Sequence, residues 1–126
     1  MMKDRKPTVM IIDENTGIRD LYGLELTDRG YGVVTVECVA AIEDAISRSK
    51  PDFIILDPWI GGEYRWDVLW SIKQGHFPMP VLICLAFDAP CDLTGLADGV
   101  VVKSSFTADL LLKVEQITQA GRPARK

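Results

Sequence analysis

The sequence predicts a three-layer α/β domain built on a parallel sheet. Five short apolar runs, Thr8–Ile12, Val33–Val36, Phe53–Leu56, Val81–Leu85 and Val100–Val102, alternate with segments of helical periodicity. Strands that alternate with helices build βαβ units, whose sheet is parallel. Phe53–Leu56 and Val81–Leu85 are apolar throughout, which is how strands covered by helices on both faces read. No repeat, linker or low-complexity insertion interrupts the pattern.

The elements follow in order. Thr8–Ile12 runs into Asp13-Glu14, and Asn15 or Thr16 can cap the next helix. Ile18, Leu21, Tyr22 and Leu26 recur there at helical spacing, and Gly30 ends the segment. Val33–Val36 is a β-branched strand. Val39, Ile42, Ala45 and Ile46 make the inner face of a second helix, which stops before Pro51. The third strand lies in Pro51-Asp-Phe-Ile-Ile-Leu-Asp57, with Asp57 at its C-terminal edge and Pro58 favouring an extended residue before it. Asp57–Glu63 is expected to be a loop, flexible at Gly61-Gly62.

Trp66, Leu69, Trp70 and Lys73 then mark a third helix, closed by Gly75 and the prolines that follow. Val81–Leu85 is the fourth strand. In Asp88–Leu96, Pro90 and Gly95 leave room for a two-turn helix at most. The fifth strand ends at Lys103, and Ala108, Leu111, Leu112, Glu115 and Ile117 belong to a final amphipathic helix. One domain over residues 7–120 is expected, with 121–126 a polar, basic and disordered tail.

Composition narrows the function classes. A chain of 126 residues with 48% hydrophobic and 25% charged residues suits one soluble domain. A net charge of -4 argues against a broad nucleic-acid-binding surface. No apolar stretch is long enough for a membrane span, and Met1–Lys6 lacks a signal-peptide core, so a cytoplasmic location without membrane insertion is expected. Cys38, Cys84 and Cys91 are odd in number and show no CxxC spacing, which indicates neither a disulfide framework nor a zinc site. Cys84 reads as a small core residue. The single histidine, His76, lies in a Gly-His-Phe-Pro loop, which leaves no Ser–His or Cys–His triad unless His76 is the base. Neither GxGxxG nor GxxxxGK[ST] occurs, so a nucleotide-binding loop is not indicated.

The chemistry lies in what ends the strands. Parallel strands share one C-terminal side, so Asp13-Glu14, Asp57 and Lys103 project from the same sheet edge although they are remote in sequence. That edge is where open α/β sheets bind ligands. Carboxylates are hard oxygen ligands suited to Mg²⁺, which takes one or two of them and keeps several waters. Clustered carboxylates stay ionised together only beside a cation or an ammonium such as Lys103. A carboxylate, a metal and an ammonium make a site for phosphoryl transfer.

With these residues assembled, the chain resembles the receiver domain of two-component response regulators, from about Pro7 to Ile117. The resemblance rests on Asp13-Glu14, Arg19, the Leu21/Leu26 spacing, Gly30-Tyr31, Pro51–Asp57, Pro80-Val-Leu-Ile and Lys103. It implies a flavodoxin-like sheet of order 2-1-3-4-5. It further implies that Asp57 accepts a phosphoryl group from a histidine kinase or phosphotransfer protein. Asp13 would hold Mg²⁺ with Asp57, Glu14 acting through water, and the backbone carbonyl of Trp59 would be a further ligand. Lys103 would pair with the phosphoryl group.

The chain also departs from the family. The Thr or Ser expected at the end of the fourth strand is Leu85, and the aromatic switch residue is Val100. The proline after the lysine is Ser104, and the glycine opening the third helix is Arg65. Leucine cannot hydrogen-bond a phosphoryl oxygen, so an atypical switch and output are expected. Trp59 is large enough to cover Asp57, or lies on the surface loop. The leading expectation is a stand-alone receiver, or a piece of a longer chain, able to form a homodimer. The alternative is a pseudo-receiver that serves as a protein-interaction module without phosphorylation. Catalysis of its own is not expected: an aspartyl-nucleophile phosphatase usually carries a second Asp two residues on, where this chain has Trp59.

Overall fold

A computed structural model describes residues 7–75, 79–86, 97–103 and 107–120 of the chain. In chain order the elements are β1 (Thr8–Ile12), α1 (Thr16–Asp28), β2 (Gly32–Val36), a 3-10 turn (Val39–Ala41), α2 (Ile42–Ser49) and β3 (Phe53–Leu56). They continue with β4 (Trp59–Ile60), β5 (Glu63–Tyr64), α3 (Trp66–Lys73), β6 (Val81–Leu85), β7 (Gly99–Val102) and α4 (Ala108–Ala120). Five strands pair in parallel in the order β2-β1-β3-β6-β7. With the small β4–β5 pair set aside, this is the order 2-1-3-4-5. Among the described residues no helix is long and apolar enough to cross a membrane. His76, Cys91, the Asp88–Leu96 segment, Ser104 and the tail 121–126 lie outside the described residues.

Side chains alternate across the sheet, and each face has its own core. Met10, Ile12, Ile54, Leu56, Val81, Ile83 and Leu85 face α2 and α3, where Ile42, Val68, Leu69 and Ile72 meet them. Val9, Ile11, Phe53, Ile55, Leu82, Cys84 and Val101 face α1 and α4, where Tyr22, Leu26, Leu110 and Val114 meet them. Full burial of a residue such as Leu26 or Leu69 contributes about 1.5–3 kcal/mol.

The inner faces of three helices differ from the periodicity reading. In α1 Tyr22 and Leu26 are buried, while Leu21 is 38% exposed. In α3 Val68, Leu69 and Ile72 point inward and Trp70 is 56% exposed, and in α4 Leu110 and Val114 replace Leu112 as the core contacts. Each helix carries adjacent apolar residues, so steps of three and four fit two neighbouring faces. Only the sheet beneath selects one of them.

Two local signals form as the sequence dictates. The Asn15 side chain accepts a hydrogen bond from Ile18 N at 3.0 Å and caps α1. At the other end Gly30 takes φ +93°, and its N–H and that of Tyr31 turn back to the carbonyls of Thr27 and Leu26. The expected loop after Asp57 is instead a hairpin. β4 and β5 pair antiparallel, Trp59 with Tyr64 and Ile60 with Glu63. Gly61 and Gly62, at φ +64° and +87°, form the two-residue turn that tight hairpins favour. Two strands of two residues carry too little periodicity to be read from sequence.

Candidate functional site

Register and alternation bring the site together. Ile12 lies beside Leu56 in neighbouring strands, so Asp13 and Asp57, one residue on, emerge side by side at the C-terminal rim. By alternation they share the face of Val9, Ile11, Phe53 and Ile55, the side covered by α1 and α4. Lys103 follows Val102 and has the parity of Val101, so it leaves β7 on that same side. β7 is two strand spacings from β3, about 10 Å, a gap that only a long side chain crosses. Lys103 crosses it: its Nζ donates to Asp57 Oδ2 at 2.5 Å and to Asp13 Oδ2 at 2.7 Å.

The trio is largely withdrawn from solvent, with Asp13 4% and Asp57 7% exposed. Burial alone would lower the pKa of the Lys103 ammonium. Hydrogen bonds to Asp13 and Asp57 outweigh that effect, and the net direction is upward. The remaining carboxylate oxygens are held by local backbone: Asn15 N donates to Asp13 Oδ1 at 2.9 Å and Trp59 N to Asp57 Oδ1 at 2.9 Å. Both are tight turns in which the aspartate is fixed by the amide two residues on.

Three further residues complete the site: Arg19, a mark of the family resemblance, and Cys84 and Tyr22, which carry no obvious sequence signal. Arg19, its side chain 12% exposed, donates from Nη1 to the Asp13 carbonyl at 2.7 Å and from Nη2 to Thr16 Oγ1 and Glu37 Oε1. It ties the end of β1 to the end of β2. Cys84 is the β6 residue level with Asp57, since Leu56 pairs with Ile83, and a side chain this small leaves the path of the Lys103 stem open. Burial pushes the Cys84 thiol up to about 11, although Tyr22 and Lys103 both pull it down. The Tyr22 hydroxyl lies 3.6 Å from Cys84 Sγ, and burial, then the neighbouring Cys84, raises this phenol well above the ordinary tyrosine value. The signal that finds Cys84 is parity with the acidic rim, once strand register is known; Tyr22 follows as the α1 residue packed on it.

Glu14 stands apart from the trio. It is exposed, and its carboxylate accepts a hydrogen bond from Gly61 N, 2.9 Å from Oε2 and 3.3 Å from Oε1. Among the described residues no group of three or more His, Cys, Asp or Glu gathers as a metal cage. The rim therefore offers two converging carboxylates rather than three. Trp59 is the surface alternative of the two expected: its ring lies edge-on against Tyr64 at 4.9 Å and is 41% exposed. Tyr64 in turn stacks on Trp66 at 5.0 Å. Arg65 N donates to Pro58 O at 2.7 Å, so Trp59 and Tyr64 are a non-hydrogen-bonded pair. The N–H and C=O of Trp59 thus both face away from Tyr64, on the side where the N–H meets Asp57.

The departures have plain surroundings. Leu85 is fully buried in the α2–α3 core, and Val100 is half-buried against it. Arg65 precedes α3 and makes a two-pronged pair with Asp67, Nε to Oδ1 at 2.9 Å and Nη2 to Oδ2 at 2.8 Å. Cys38 is exposed and Cys84 buried, both as free thiols.

No protein-family model matches the sequence. The probable transcriptional regulatory protein TcrX of Mycobacterium tuberculosis is 25% identical over 114 residues, which cover 87% of this chain and 49% of the relative. The chain thus spans about half the length of that curated relative. A signal receiver domain from Vibrio parahaemolyticus superposes with a TM-score of 0.79 at 27% identity, covering 91% of this chain and 92% of that one. Response regulator protein TrrA of Thermotoga maritima, solved in complex with Mg²⁺-BeF, gives a TM-score of 0.78 at 26% identity over 87% of this chain and 97% of its own. TrrA has also been solved in complex with histidine kinase ThkA. In strand order and in these likenesses, the chain matches the receiver-domain family of two-component response regulators, the proteins of phosphorelay signalling.

Proposed function

We propose that the chain accepts a phosphoryl group on Asp57 from a histidine kinase or phosphotransfer protein, with Mg²⁺ as cofactor. The observation that carries this reading is the Lys103 ammonium bridging Asp13 Oδ2 and Asp57 Oδ2. Two nearly buried carboxylates are drawn to one point by a cationic group. The donor set fits Mg²⁺, which asks for hard oxygens and needs no more than one or two carboxylates. Asp13, Asp57 and the Trp59 carbonyl would hold the ion, with Glu14 acting through water, and the ion would supply charge neutralisation.

The residues divide the work as phosphoryl transfer requires. A carboxylate oxygen of Asp57 forms the new P–O bond while the P–N bond to the donor imidazole breaks, and the imidazole leaves with the electron pair and takes up a proton. Trp59 N–H fixes the second Asp57 oxygen and so orients the nucleophile. Lys103 lies within reach of both carboxylates and pairs with the incoming phosphoryl oxygens. Arg19 and Asn15 N hold Asp13 in place. The kinase complex of TrrA supports a partner of this kind for the present chain.

A pseudo-receiver remains the second reading, favoured by Leu85. That side chain offers no hydrogen bond and is wholly committed to the core. Amide spectra separate the two. Mg²⁺ with beryllofluoride is expected to shift the resonances of Asn15, Trp59 and Lys103, and Asp57→Ala to abolish the shifts. Spectra unchanged at millimolar Mg²⁺, with partner binding unaffected by Asp57→Ala, would leave the interaction module as the function.

A further inference from the structure

We propose that the β4–β5 hairpin, latched to the site by Glu14 and Asp57, is the element through which this site reports its state to the outside. The inference rests on the phosphoacceptor reading and names the route by which that site acts. Two hairpin amides end on carboxylates of the rim: Trp59 N on Asp57 Oδ1 and Gly61 N on Glu14, each at 2.9 Å. The latch therefore spans both ends of β4. Its partner strand is tied at the base by Arg65 N to Pro58 O, which leaves the Gly61-Gly62 tip as the end that can swing.

Glu14 has two claims on it. It is the sequence neighbour of Asp13, and its carboxylate is the only side-chain hold on the tip among the described residues. A divalent cation bound by Asp13 and Asp57 would compete with Gly61 N for the Glu14 carboxylate, and Gly61 would lose its acceptor. The tip is released while the Asp57 turn stays fixed. Trp59, exposed and edge-on to Tyr64, and Tyr64, half-buried and stacked on Trp66, carry the change along an aromatic ladder to the start of α3. On the opposite flank Leu85 and Val100 present only hydrocarbon to the core, and among the described residues Lys103 alone reaches from there to the acidic rim.

The experiment follows amide exchange of Gly61 and the Trp59 indole resonance in the whole chain, with and without Mg²⁺, and with added beryllofluoride. In metal-free protein Glu14→Ala is expected to speed Gly61 exchange roughly fivefold, as loss of one exposed hydrogen bond does. Glu14→Gln, which keeps an acceptor oxygen, is expected to retain the protection. In the wild type, Mg²⁺ is expected to bring Gly61 exchange to the Glu14→Ala level and to move the Trp59 indole. Shifts at Asn15 and Lys103 with Gly61 and Trp59 unmoved would overturn the latch and leave the phosphoacceptor reading standing. Shifts nowhere would overturn both, and unchanged Gly61 exchange in metal-free Glu14→Ala would overturn the latch alone.

Discussion

The two flanks of Asp57 are built on opposite principles. Toward β4 and β5 the rim is a set of polar contacts, with Trp59 N on Asp57 and Gly61 N on Glu14. Toward β6 the residue at the matching strand end is Leu85, fully buried among Ile83, Leu56 and Val68. Both flanks are ordered, but by different forces. Hydrogen bonds to a carboxylate change when its charge is shared with a ligand, whereas hydrophobic burial is indifferent to it. On the latch proposed above, occupancy of the site is felt chiefly on the β4–β5 side. Lys103 belongs to neither flank: it reaches across β6 and holds the two aspartates together.

The largest effect is expected from removing that bridge. Lys103→Met leaves Asp13 and Asp57 facing each other without a counter-charge in a nearly buried site, a cost of about 3 kcal/mol in urea unfolding without metal. Added Mg²⁺ should recover much of the loss. Filling the floor comes next. Cys84→Leu adds volume beneath the lysine stem and should destabilise by about 1–3 kcal/mol while weakening Mg²⁺ binding. Cys84→Ala should cost less and leave binding intact.

Leu85→Thr breaks the contrast itself. It should lower stability by about 2 kcal/mol through lost burial and an added hydroxyl. In return, amides within β6 should begin to respond to beryllofluoride, whereas on this flank of the wild type the response should stop at Lys103.

Alkaline pH gives a smaller, graded effect with a defined sign. The folded-state pKa values of Lys103 and Cys84 are both raised, so their stabilisation is complete below the unfolded values and is lost as pH rises through the folded ones. For Cys84 that window runs from 9.0 to about 11, and for Lys103 it begins at 10.5. Unfolding free energy should fall across it, and Cys84→Ala should remove the earlier part of the fall. Arg48→Ala marks the bottom of the scale. Its pair with Asp44 is exposed on both sides, and its loss should change stability by less than about 0.5 kcal/mol.

The sheet was legible because its signals are local and strong. Continuous apolar runs bounded by Pro, Gly and acid located Thr8–Ile12, Phe53–Leu56 and Val81–Leu85 residue for residue. The meeting of Asp13, Asp57 and Lys103 followed from a topological rule, namely that parallel strands share a C-terminal edge. What needed coordinates was anything decided by register or side-chain direction. Glu14 follows Asp13 in sequence yet points to Gly61, because consecutive residues at a strand end face opposite ways. Cys84 looked like ordinary core until its level with Asp57 was known. Leu21 and Trp70 satisfied helical spacing but sit one step off the inward direction. The β4–β5 hairpin was hidden because four residues and a Gly-Gly turn read as loop.

The most direct test of the phosphoacceptor site is intact-mass analysis after incubation with a small phosphodonor and Mg²⁺. Wild-type protein is expected to gain one phosphoryl group, sensitive to alkali as an acyl phosphate is, and Asp57→Asn to gain none. A mass that never changes, or a phosphoryl group that persists in Asp57→Asn, would contradict the assignment of Asp57, Asp13 and Lys103 as one working site.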